Sequence, residues 1–129
     1  MKNEFALTAT FAATAETLYK AWLSTQGHTL MTGSPAKVDG RAGGAFTAWD
    51  GYIWGTFSEL EENKRILQAW RSGEFPEDAE DSQVEILLSE ADGKTTITLL
   101  HTNIPEGQAD NYKTGWEDFY FKPMKEYFG

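Results

Sequence analysis

The stretch Asn111–Gly129, NYKTGWEDFYFKPMKEYFG, decides the fold. It places Tyr112, Trp116, Phe119, Tyr120, Pro123 and Tyr127 at steps of four, three, one, three and four. That spacing is the apolar stripe of a helix with a period near 3.6. Upstream, residues 34–103 read as strands. A long antiparallel sheet followed by one aromatic-faced helix predicts a sheet curled around that helix. Two positions inside the helix run against helix propensity. Pro123 removes a hydrogen bond and crowds the carbonyl of Phe119, which predicts a kink or a break. Gly115 costs about 1 kcal/mol against alanine, and a close approach of sheet or ligand would account for it.

The other elements follow from period and punctuation. Glu4–Phe11 alternates, with Phe5, Leu7, Ala9 and Phe11 on one face, as a half-buried strand does. Thr14 caps a short helix with Glu16 in its first turn and Leu18, Ala21 and Trp22 on its buried face. Ser24 caps a second short helix ending near Met31, with Gly27 counting against it. Short strands are expected at Ala36–Asp39, Ala45–Trp49, Tyr52–Leu60, Lys64–Ser72, Gln83–Glu90 and Lys94–Asn103. They are separated by Gly40–Gly44, Asp50-Gly51, Glu62-Asn63 and Asp92-Gly93 turns. The acidic segment Gly73–Asp81, GEFPEDAED, reads as a solvated loop. The result is an α+β chain, with seven strands in a curved antiparallel sheet, two short helices between the first two strands, and a long C-terminal helix. Residues 1–129 read as a single domain, long enough for a real core, with aromatic residues (five Trp, five Tyr, eight Phe) supplying much of it.

Charge and composition exclude several classes of partner. A net charge of −9 repels phosphate backbones and anionic lipid surfaces, so neither nucleic acid nor membrane is expected. No apolar run reaches the length of a membrane span, and the N-terminus has no signal-like apolar core. With no cysteine there is no disulfide, thiolate or Cys-based zinc site. A cytoplasmic setting is the expectation.

At this point a resemblance enters. Gly43-Gly44-Ala45-Phe46, Glu59–Ile66 leading to Trp70-Arg71, and Leu100-His101-Thr102-Asn103-Ile104-Pro105 recur in order with Gly115-Trp116, Tyr120, Phe121 and Pro123-Met124. The chain resembles the START-like, helix-grip superfamily (SRPBCC), and within it the family named for the activator of the 90-kDa heat-shock-protein ATPase. It resembles the domain in the C-terminal half of the eukaryotic activator, and that protein's N-terminal chaperone-binding domain is not expected here. The resemblance implies a hydrophobic cavity between sheet and helix, a chaperone as protein partner, and a role in stress response.

Candidate chemistry is sparse. His28 and His101 are the only imidazoles, the carboxylate clusters sit in turns and loops, and no metal site or cofactor is expected. Gly40–Gly44 matches neither a P-loop nor a dinucleotide fingerprint, and no nucleophile elbow is present. His101 shares a strand face with Ile97 and Leu99 and therefore points inward. There it is either satisfied by a neighbouring hydroxyl or carbonyl, or available to a ligand or as a base. Trp22, Phe46, Trp54, Trp70, His101, Trp116, Phe119 and Tyr120 are the candidate cavity lining, although alternation does not decide between Trp49 and Trp54. Three functions fit. The first is a non-enzymatic domain holding a small hydrophobic or amphipathic ligand. The others are a co-chaperone-like partner of a chaperone ATPase, and a cyclase- or hydrolase-type enzyme on the same scaffold.

Overall fold

The computed structural model describes residues 3–129. β1 (Phe5–Phe11) leads through α1 (Ala15–Trp22) and α2 (Thr25–Thr32) to β2 (Lys37–Val38) and β3 (Ala45–Ala48). β4 (Ile53–Glu61), β5 (Arg65–Ser72), β6 (Ser82–Ala91) and β7 (Lys94–Thr102) follow. The chain ends in α3 (Ala109–Trp116), a π-helical turn (Glu117–Phe121) and α4 (Lys122–Phe128), which run on as one helix. The seven strands form one antiparallel sheet in the order β1-β7-β6-β5-β4-β3-β2. The α1–α2 pair thus carries the chain from one edge of the sheet to the other. This is the curved sheet, two short helices and C-terminal helix that the sequence predicts.

Local chemistry accounts for the elements. Thr14 Oγ1 accepts the Thr17 amide at 3.1 Å and Ser24 Oγ accepts the Gly27 amide at 2.8 Å, so both short helices are capped by the side chains expected. Gly27 has a packing reason. A Cβ there would lie 2.6 Å from Ala21 Cα, so its absence lets α2 cross close to α1. Asp92 and Gly93 both have positive φ and close a two-residue hairpin beneath the Ala91–Lys94 pair. The acidic Gly73–Asp81 segment is a loop, but it is pinned. Arg71 donates to the Ala79 and Pro76 carbonyls and to Asp81, and its guanidinium sits 5.3 Å from the Phe75 ring centre. Phe75 itself is buried.

The C-terminal helix departs from the simple stripe. Tyr112, Trp116 and Tyr120 are buried, but Phe119 is 56% and Tyr127 51% exposed. Phe121 and Met124 are buried instead, and Phe128 packs against the core. The cause is the π turn, in which the Lys122 amide donates to the carbonyl five residues back, Glu117. One residue is inserted, so every downstream face position advances by one: 119 to 120, 123 to 124, 127 to 128. Pro123 sits in the first turn of α4, directly after this widening. A proline needs no amide acceptor and crowds the carbonyl four residues back, and a widened turn relieves both problems.

The shifted face predicts which side chains carry stability. Met124→Ala should cost about 2–5 kcal/mol in urea denaturation. Tyr127→Ala should stay within about 0.5 kcal/mol. The reverse order would restore the unshifted stripe.

Candidate functional site

Between the helix and one end of the sheet lies an aromatic groove of about 310 Å³. Tyr112, Trp116 and Tyr120 form its buried helix wall, with Asn111, Gly115 and Phe119 completing that side. Trp49, Tyr52 and Ile53 close it from the β3–β4 hairpin, and Trp70 from β5. Half-exposed Tyr52 and Phe119 stand at the solvent side. Gly115 is open space made deliberate by residue choice. A Cβ built there meets only the Phe119 ring, at 4.0 Å. The sheet does not approach it, contrary to one expectation; the missing side chain widens the groove.

Hydrogen bonds fix the walls. At one end the Ser72 hydroxyl donates to the Tyr112 oxygen at 2.7 Å, and Tyr112 donates to Gln108 Oε1 at 2.5 Å. Tyr52 donates to Glu74 Oε2. Burial and this carboxylate together push the Tyr52 phenol up to about 12. Trp116 stacks on Trp22, with ring centres 6.2 Å apart, and Tyr120 stacks on Trp22 at 5.3 Å. Trp22 in turn donates its indole N–H to Gln68 Oε1 at 2.7 Å.

Both histidines serve these walls from behind. Ser82 Oγ donates to the Trp70 carbonyl at 2.7 Å, so it accepts from His101 Nε2–H at 2.8 Å. His101 Nδ1 is then the acceptor for the Trp116 indole N–H at 3.0 Å. His28 Nδ1–H donates to the Trp22 carbonyl at 2.9 Å, leaving Nε2 to accept the Tyr120 hydroxyl at 2.8 Å. Each ring therefore needs to be neutral, with one nitrogen donating and one accepting. Burial lowers His101 to about 3 and His28 to about 4.

The eight candidate lining residues divide. Trp70, Trp116, Phe119 and Tyr120 line the groove. Trp22, Phe46 and His101 are buried without lining it: Trp22 and His101 lie behind the helix wall, and Phe46 packs on Phe57 with ring centres 5.2 Å apart. Trp54 is 38% exposed. Ile53 and Phe57 take the inner face of β4, so the pleat turns Trp54 outward, and Trp49 lines the groove in its place. Trp49 escaped alternation because its φ is +50°; Asp50 and Gly51 beside it also have positive φ. That turn carries its ring to the inner side although Phe46 and Ala48 hold the inward positions of β3. Tyr52, Ile53, Asn111 and Gly115 were also missed as lining. The helical spacing of Asn111, Gly115 and Phe119 was the available signal for two of them. Among the described residues no three His, Asp or Glu side chains gather in a way that could hold a metal ion.

Acid should loosen these walls. With both folded imidazoles depressed below the free value of 6.5, the unfolded chain binds more protons in the window below that value. Their contribution is fully present above pH 6.5 and falls as pH drops toward 4 and then 3, by about 1.4 kcal/mol per pH unit for each histidine. Denaturation midpoints across pH 7 to about 4 should show this slope, and it should be shallower in a His28→Gln variant.

Residues 12–129 match the family described as Activator of Hsp90 ATPase homolog 1-like protein. An uncharacterized protein of Schizosaccharomyces pombe is 32% identical over 93% of this chain and 35% of its own length. The human activator of 90 kDa heat shock protein ATPase homolog 1 is 28% identical over 95% of this chain and 36% of its own. The chain thus spans about a third of the length of these curated relatives. The crystal structure of an HSP90 activator from Plasmodium falciparum superposes with a TM-score of 0.79 at 28% identity, covering 92% of this chain and 90% of that one. The curved sheet, the helix seated by Trp116 and the match over almost the whole sequence agree: the chain belongs to the activator of Hsp90 ATPase homolog 1-like family.

Proposed function

We propose that the chain is a non-enzymatic binding domain whose aromatic groove holds a small hydrophobic or amphipathic molecule. The observation that carries this is Gly115. A glycine in a helix interior costs about 1 kcal/mol against alanine, and here the space it leaves opens only onto the groove. The volume of about 310 Å³ lies at the small end of ligand sites. The two imidazoles are committed to Ser82, Trp116, Trp22 and Tyr120, which supports holding rather than turnover. A cytoplasmic setting and a single-domain organisation belong to the same proposal.

The family supports a second reading, modulation of a chaperone ATPase, because 28% identity to the human activator extends over 95% of this chain. The acidic net charge favours a basic docking face on such a partner. These readings are compatible, since the groove occupies one end of the sheet only.

Gly115→Leu should fill the groove, and native mass spectrometry should then lose any molecule that co-purifies with the unaltered protein. Gly115→Ala should instead raise stability by about 0.5–1 kcal/mol. If the protein is empty when purified and takes up no apolar dye, the binding reading fails. For the second reading, ATP turnover by a 90-kDa chaperone should change on adding this protein, and the effect should weaken as salt rises; unchanged turnover at low salt removes it.

A further inference from the structure

The lining of the groove is short of hydrogen-bond donors. The Tyr52, Tyr112 and Tyr120 hydroxyls donate to Glu74, Gln108 and His28, and the Trp116 indole donates to His101. The Trp49 and Trp70 N–H groups are buried out of its reach. That leaves the exposed Asn111 amide as the side-chain donor on the lining. No Lys, Arg or His is among the lining residues. A carboxylate or phosphate seated here would lose water without gaining a counter-charge.

What the groove does offer is aromatic rings from both sides and a carboxylate at one end. Glu74 is an exposed loop residue, yet it is fastened at three points. Its amide donates to Ser72 Oγ at 3.2 Å, its carbonyl accepts from Gln108 Nε2 at 2.9 Å, and its carboxylate accepts the Tyr52 hydroxyl. Ser72 and Gln108 are also the partners of Tyr112, so Glu74 is fixed at the Tyr52–Tyr112 end of the groove. It takes part in no ion pair among the described residues. Burial first, and the Glu74 carboxylate after it, hold both the Tyr52 and the Tyr112 phenols above the usual tyrosine value, so its charge is felt across this end. The segments that supply the walls lean the same way. Residues 49–53, 70–74 and 111–120 carry Asp50, Glu74, Glu117 and Asp118 against Arg71 and Lys113, and Arg71 is committed to Asp81.

We infer that the groove takes an organic cation with an apolar body, an alkylated or quaternary ammonium, whose charge sits at the Tyr52–Tyr112 end with Glu74 as its counter-charge. The aromatic rings suit such a head, because a weakly hydrated cation gains from contact with π-systems. The inference rests on the reading of the groove as a small-molecule site and adds the charge and chemical class of the occupant.

Three benzyl compounds with tetrahedral heads of similar size test it: benzyltrimethylammonium, neopentylbenzene and benzylsulfonate. In calorimetric titrations at low salt the cation should bind about tenfold more tightly than its neutral carbon isostere, and this ratio should fall as salt rises. Glu74→Gln keeps an acceptor for the Tyr52 hydroxyl and removes the charge, so the ratio should drop to about threefold or less. Glu74 is exposed, so this variant should fold as the unaltered protein does. Gly115→Leu, which fills the groove, should abolish binding of the cation. Equal or tighter binding of the neutral isostere overturns the inference and leaves the small-molecule reading standing, and tightest binding of the sulfonate does the same. An unchanged ratio in Glu74→Gln overturns the assignment of the counter-charge. Cation binding that survives Gly115→Leu belongs to the acidic surface and overturns the inference. Binding of none of the three also overturns it, and uptake of an apolar dye then decides the small-molecule reading separately.

Discussion

The position of the C-terminal helix depends on the seating of one side chain, Trp116. Its indole N–H is accepted by His101 on β7, its ring stacks on Trp22 of α1, and it meets Trp70 of β5 and Tyr120 one turn later. One residue thus ties the helix to two strands and to the helical pair that bridges the sheet edges. The bond requires a neutral imidazole, and the surroundings enforce one: Ser82 fixes the tautomer and burial disfavours the charge. His101 supports the wall from behind and has no free nitrogen to act elsewhere.

From that seat the π turn determines what faces where. Without the extra residue, Phe119 would turn into the core. With it, Tyr120 takes the buried place and bonds to His28, while Phe119 moves to the groove's solvent side, opposite Trp49. The groove exists because the helix wall is low at Gly115 and because the widened turn places one ring at its edge instead of packing it inside. Its helix wall is held by hydrogen bonds from Tyr112, Trp116 and Tyr120, and Trp22 behind it is bonded to Gln68. The loop at the far end is pinned by Arg71. A ligand entering such a preformed groove would pay little ordering cost.

Much of this architecture was legible in residue order. Alternation in β1 and β7, the Asp-Gly and Gly-rich turns, the Thr14 and Ser24 caps and the aromatic helix stripe each follow from local rules of period and backbone conformation. They produced seven strands with ends within a residue or two of those observed. The inward direction of His101 followed from the two-residue repeat and holds because β7 has no bulge between Ile97 and His101. The lining was less legible. Alternation points to Trp54 where the structure places Trp49, because a run of positive φ at a hairpin end carries a side chain across the sheet in a way no alternation can register.

The sequence by itself determined the elements, their order, the antiparallel connectivity and the family, since these depend on near neighbours and on short motifs. Only the tertiary structure decided the phase of the last helix turns, the exchange of Trp49 for Trp54 and the open space at Gly115. Each depends on what stands opposite: a turn widened ahead of Pro123, a turn folded back over the inner face, a space left beside Gly115. Those are distances between segments far apart in the chain. A periodic pattern carries the direction of a side chain along its own element, but not the gap that the side chain meets.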